Sequence, residues 1–127
     1  MEKTRIIKGV LGKFNYATLS YEFSKIEFEH KSYKDMYTLL DIQFFEIPSM
    51  YLGNKEYDIY CDEEGQFNAL KDFYSVAYGK KFKQVKPYIV GNVFICSHTA
   101  DGDIASLTDA QCERVLNSTI GNMLWFD

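Results

Sequence analysis

The chain has 127 residues and a formal net charge of -4, from 14 basic and 18 acidic side chains, which suits one domain and argues against a surface built to hold nucleic-acid phosphates. Its composition, 46% hydrophobic and 25% charged, is that of an ordinary folded domain burying roughly two-thirds of its unfolded surface, and excludes a disordered chain. Residues 1–127 read as a single domain, since there is no internal repeat, no Pro/Gly/Ser-rich linker, and only Pro48 and Pro87 interrupt the backbone chemistry.

No segment has the length and apolarity of a signal peptide or a membrane span, so the chain is expected to be cytoplasmic and without a membrane partner. Asn117 opens an Asn-Ser-Thr sequon that such a setting leaves unused. Cys61, Cys96 and Cys112 are odd in number and far apart, which predicts reduced, mostly buried thiols.

Residues 1–31 form an N-terminal strand region. "TRIIKGVL" at 4–11 reads as a strand. In "ATLSYEFSKIEFEHK", Leu19, Tyr21 and Phe23 share one phase and Ile26 and Phe28 the other, with Glu27 and Glu29 pointing away. The pattern predicts two half-buried strands turning at Ser24-Lys25. From residue 32 the period changes: Tyr33, Met36, Tyr37 and Leu40 make a helical stripe with Ser32 as N-cap.

"IQFFEI" and "YDIYC" read as strands, the first stopped by Pro48. "NALKDFYSVAYG" reads as a second helix with Asn68 at its start, Leu70, Phe73, Tyr74 and Ala77 on its stripe, and Gly79 at its end. "GNVFIC" is the most apolar strand and is expected at the centre of the sheet. The last helix opens on a capping box of Thr108, Asp109 and Gln111, with Leu107 and Cys112 as a hydrophobic staple; its stripe runs Cys112, Val115, Leu116, Ile120 and ends at Gly121. The expected fold is α+β: a mostly antiparallel sheet of five to six strands with three helices.

The acidic stretch from Asp62 to Gly65 lies between a strand and a helix. A polar residue opening the turn and a glycine closing it are what turn geometry asks for, so Glu63 and Glu64 are read as an exposed turn rather than a catalytic pair. An EF-hand is excluded because its glutamate position is taken by Leu70 or Lys71. Cys96 and His98 share a strand face, but no C-x-x-C or H-x-x-x-H spacing brings in Cys61 or Cys112, and no metal site or cofactor is expected. Asp101 and Asp103 flank Gly102 in a loop read as a solvated strand-to-helix connection. The Lys80, Lys81, Lys83 and Lys86 cluster around Phe82 lacks arginine, and nucleic acid is not expected as its partner. No phosphate-binding glycine loop or hydrolase motif is present, and the chain is not read as an enzyme.

Ten Tyr, ten Phe and one Trp make up 17% of the residues, more rings than a small core can enclose. Tyrosine supplies contact area at low entropic cost. The expected binding surface is therefore Tyr57, Tyr60, Tyr74 and Tyr78, rimmed by Glu63 and Glu64.

The order "SYKDMYTLLDIQFFEI", "YDIYCDEEG" and "GNVFICSHTADGDIASLTDAQCERVL" resembles the uncharacterised domain of unknown function 3846, over about residues 32–117. The features that carry it are the helix leading into a strand with Glu46, the acidic turn Glu63-Glu64-Gly65, the strand after Gly91, and Ser106-Leu107-Thr108-Asp109 opening the last helix. The resemblance implies a small accessory protein of phages or conjugative elements. On that setting, the expected function is stoichiometric, non-enzymatic inhibition of a host defence protein, such as a CRISPR or restriction effector. The alternative is a small-molecule or nucleotide-sequestering protein with an aromatic pocket.

Overall fold

The computed structural model describes residues 5–15, 17–18, 20–53, 55–63, 75–79, 88–120 and 123–126. Strand β1 (Arg5–Asn15) pairs along its whole length with β2 (Ser20–His30), Arg5 opposite His30 and Asn15 opposite Ser20. The expected hairpin at Ser24-Lys25 is therefore a single strand, and the chain reverses around residues 17–18. The cause lies in the packing. Tyr21 and Phe23 join the core on one face of the sheet, while Ile26 and Phe28 pack on the other. A long strand whose two halves meet different layers can change its apolar phase without turning.

Helix α1 (Asp35–Leu40) is shorter than its stripe suggested, with Met36 and Leu40 buried. Ser32 does not cap it: the N-cap is Lys34, without a side-chain hydrogen bond, and Ser32 Oγ accepts instead from Lys34 N at 3.2 Å. Asp35 takes the stabilising role, accepting from Lys31 N at 2.7 Å and Ser32 N at 3.1 Å.

The short strand β3 (Phe45–Glu46), β4 (Ser49–Leu52) and β5 (Lys55–Asp62) follow, β3 and β4 each antiparallel to β5. The strand expected over "IQFFEI" shrinks to two residues and a further strand appears beyond Pro48, which accepts from Ile59 N through its carbonyl at 3.0 Å. Residues 75–79 form β6 (Ser75–Gly79), not the end of a helix; the earlier part of that expected helix lies outside the described residues. β7 (Tyr88–Val90) pairs with β6, and a turn at Gly91 leads into β8 (Val93–His98).

β8 lies between β1 and β5, in the centre of the sheet as its apolarity required. Its turn at 99–103 closes a hairpin with β9 (Ile104–Ala105), so Asp101 and Asp103 do not lie on a strand-to-helix connection. Helix α2 (Asp109–Leu116) starts at the capping box and stops at Asn117; Ile120, expected on its stripe, belongs to β10 (Thr119–Ile120), followed by β11 (Met123–Phe126).

The main sheet has seven strands, ordered β2-β1-β8-β5-β3 with β4 on β5 and β9 on β8; a four-stranded sheet runs β10-β11-β6-β7, with β6 and β11 parallel. Among the described residues there are two short helices. The protein is thus more β-rich than the expected α+β domain with three helices. On one face of the main sheet Val10, Phe14, Tyr57, Ile59 and Val93 pack under α2 and Ile89 of β7; on the other, Ile7, Phe94 and Cys96 pack under α1 and Ile104 of β9. Asn92 joins the layers, its Oδ1 accepting from Phe14 N at 2.9 Å and its Nδ2 donating to the Leu40 carbonyl at 3.1 Å.

Candidate functional site

Strand period and sheet register assemble the site. Asp58 pairs with Cys96 at the end of the ladder between β5 and β8, and Glu56 and His98 each lie two residues beyond that pair. Side chains of equal parity share a face. Glu56, Asp58 and Tyr60 of β5 therefore project on the same side as Cys96 and His98 of β8, toward the α1 layer.

Asp58 is the buried charged residue of the described structure, 8% exposed. Its Oδ2 lies 2.7 Å from His98 Nδ1, and the imidazole opens to solvent. The ligand atoms of Glu56, Asp58 and His98 all fall within 4.8 Å of one another. Tyr51, opposite Glu56 on β4, donates from its hydroxyl to Glu56 Oε2 at 2.8 Å and orients that carboxylate.

Burial and neighbouring acids shift the groups beside the pair. Burial pushes the Cys96 thiol well above its ordinary range, and Asp58 adds to the effect, so the thiol is protonated. Tyr60 is pushed up to about 12, by burial first, with the acids Asp58 and Asp103 adding to the effect. From Tyr60 an aromatic row runs outward: Phe45 at 5.3 Å, Tyr37 at 5.5 Å from Phe45, and Tyr33 at 6.0 Å from Tyr37. The row ends in solvent, with Tyr33 59% exposed.

The six residues read from sequence as a binding surface do not meet in one patch. Tyr57 is 2% exposed, in the core beneath α2, where burial raises its hydroxyl pKa, and Tyr60 faces the opposite layer. Glu63 is exposed in a turn, its amide donating to the Phe44 carbonyl at 3.1 Å, which agrees with the turn reading of the acidic stretch as far as that residue. Glu64, Tyr74 and the Lys80–Lys86 cluster lie outside the described residues, and Tyr78 is placed on β6 by its backbone.

All three cysteines are buried and free of disulfides, as expected. Cys61 and Cys112 belong to the core under α2 and Cys96 to the opposite one, so the sheet separates them. What sequence reasoning missed is the pairing of His98 with Glu56 and Asp58. The signal was there as alternate acids on one strand and a histidine at the end of another, but only the register joins them.

A second feature is an open groove of about 550 Å³ lined by Ile6, Lys8, Glu27 and Ser106 to Asp109. Lys8 Nζ and Asp109 Oδ1 meet beside it at 2.7 Å, with Lys25 Nζ at 3.5 Å. The hydrogen bond raises the Lys8 pKa and lowers that of Asp109. Ser106 Oγ accepts from Lys8 N at 2.9 Å and Leu107 N donates to the Lys8 carbonyl, so these contacts fasten β1 to the start of α2.

A family model described as Domain of unknown function (DUF3846) matches residues 18–119. The chain belongs to this family. No curated protein and no solved structure gives a significant match. The DUF3846 match begins ahead of β2, earlier than the sequence resemblance at residue 32, and contains Glu56, Asp58, His98 and the capping box of α2. Strand β1 (Arg5–Asn15) precedes the matched stretch, although it supplies one neighbour of the central strand. Among the described residues no helix is long and apolar enough to cross a membrane.

Proposed function

We propose that this DUF3846 protein is a non-enzymatic binding protein that occupies the surface of a protein partner at a fixed ratio. A host defence effector in the cytoplasm is the partner that the family's expected setting on mobile elements suggests. The observation that carries the reading is the exposure of large apolar side chains along residues 33–47: Tyr33 at 59%, Phe44 at 52% and Ile47 at 38%. Phe44 and Ile47 flank β3, the last strand in the order of the main sheet.

Exposed apolar side chains flanking a terminal strand offer anchors to a protein partner. Tyr33 is supported from behind by Tyr37 and Phe45, which holds its ring at little entropic cost on binding. The anchors of the interface accordingly move from Tyr57 to Tyr33 and Phe44.

The test is capture from host lysate followed by titration against the captured protein. Tyr33→Ala and Phe44→Ala should leave the melting temperature nearly unchanged and each weaken binding by on the order of 2 kcal/mol. Inhibition should saturate at a fixed molar ratio. Activity at catalytic amounts, or capture indifferent to both substitutions, would overturn the reading.

A further inference from the structure

We propose that Glu56, Asp58 and His98 form a binding site for one divalent transition-metal ion, with zinc as the best-fitting occupant. The proposal is independent of the protein-binding surface, which lies along residues 33–47. Three observations carry it.

The first is convergence. Two carboxylates from β5 and one imidazole from β8 bring their ligand atoms within 4.8 Å of one another, on rigid strands rather than on a loop. Zinc held at about 2.0–2.1 Å from nitrogen or oxygen sets neighbouring ligands roughly 3.3 Å apart in a tetrahedron. Asp58 Oδ2 and His98 Nδ1, now 2.7 Å apart, need to open by roughly 0.6 Å as the ion replaces the proton between them. Glu56 supplies the third ligand from the same cluster.

The second observation is the burial of Asp58. Removing a carboxylate from water is costly unless a positive charge compensates it. At 8% exposure, Asp58 meets neither lysine nor arginine in an ion pair among the described residues; its partner is His98, a metal ligand by chemistry. A bound dication would supply the missing charge.

The third is the support behind Glu56. Tyr51 donates to Glu56 Oε2 at 2.8 Å, the kind of outer contact that fixes a ligating carboxylate. Because the His98 side chain is 44% exposed, the fourth position opens to water. One nitrogen and two oxygens form a borderline-hard set, and among the abundant divalent ions that accept it zinc binds more tightly than manganese or magnesium.

The experiment is calorimetric titration of the whole chain with zinc chloride, repeated with manganese and magnesium, alongside nuclear magnetic resonance of the two histidine rings. The expected result is one equivalent of zinc, shifts at His98 with His30 unmoved, and weaker binding of manganese and magnesium. Glu56→Gln and His98→Gln, shown to be folded by circular dichroism without metal, should each weaken zinc by at least about tenfold, whereas His30→Gln should not. If either variant fails to fold, the wild-type ring shifts decide. Absence of saturable binding, shifts at His30 instead of His98, or undiminished affinity in folded His98→Gln would overturn the site.

Discussion

Asp58 and His98 meet at 2.7 Å across the ladder between β5 and β8, forty residues apart in sequence, with the carboxylate buried and the imidazole open to solvent. The asymmetry predicts what happens when the pair is broken. His98→Ala leaves a buried carboxylate without its partner, at a cost of about 2 kcal/mol. Urea denaturation of metal-free protein checks this, and a change within about 0.5 kcal/mol, the scatter of surface substitutions, would mean that water replaces the ring.

A second prediction concerns the start of α2. Thr108 Oγ1 accepts from Gln111 N at 3.1 Å, and Gln111 Oε1 accepts from Thr108 N at 2.9 Å. Thr108→Ala removes one half of this reciprocal cap and should destabilise the protein by about 1 kcal/mol. A midpoint of denaturation unchanged within error would place the helix start elsewhere.

Gly9 carries the third. A Cβ built there would lie 2.6 Å from the Phe94 ring and closer still to the Ile95 carbonyl. Phe94 is fully buried and in edge contact with Phe28 at 5.3 Å, so its ring has little room to yield. Gly9→Ala should cost about 1–3 kcal/mol by overpacking, read as a lower denaturation midpoint. A neutral result would show that β1 shifts along β8 without penalty.

Where the sequence was legible, one local signal had a single structural meaning. The Thr108-Asp109-Gln111 box caps α2, and the unbroken apolarity of "GNVFIC" marks a strand covered on both faces, which β8 is. Where it failed, tertiary packing overrode the local pattern. The phase change between Phe23 and Ile26 looked like a hairpin, whereas the two halves of β2 pack into different layers, one on each face of the sheet. Ser32 looked like a cap until Asp35 supplied the stronger acceptor. Ser75 to Gly79 carry a helix-compatible stripe but pair with β7 and β11. Glu56, Asp58 and His98 could not be joined from sequence, because non-local register alone makes them neighbours.

The last prediction follows from Asp35, which holds the turn into α1. Burial by itself pushes its carboxyl up, but the amides of Lys31 and Ser32 and the nearby His30 outweigh that, and the net shift is below the ordinary value of 3.8. His30 Nδ1 lies 3.2 Å from Asp35 Oδ2 without hydrogen-bonding geometry, so the two amides are the firmer contacts. A carboxyl with a lowered folded-state pKa stabilises the fold fully above its unfolded-state pKa, and that contribution disappears as pH falls through the folded-state value. Asp35→Asn should therefore lower stability near neutral pH, by about 1 kcal/mol for a charge-assisted contact of this exposure. The difference from wild type should persist down to about pH 5 and shrink below the ordinary carboxylate range. Denaturation midpoints of both proteins at steps between pH 7 and pH 2.5 measure it. A difference that grows on acidification would reverse the sign of the argument and move the stabilising role away from the ionised carboxylate.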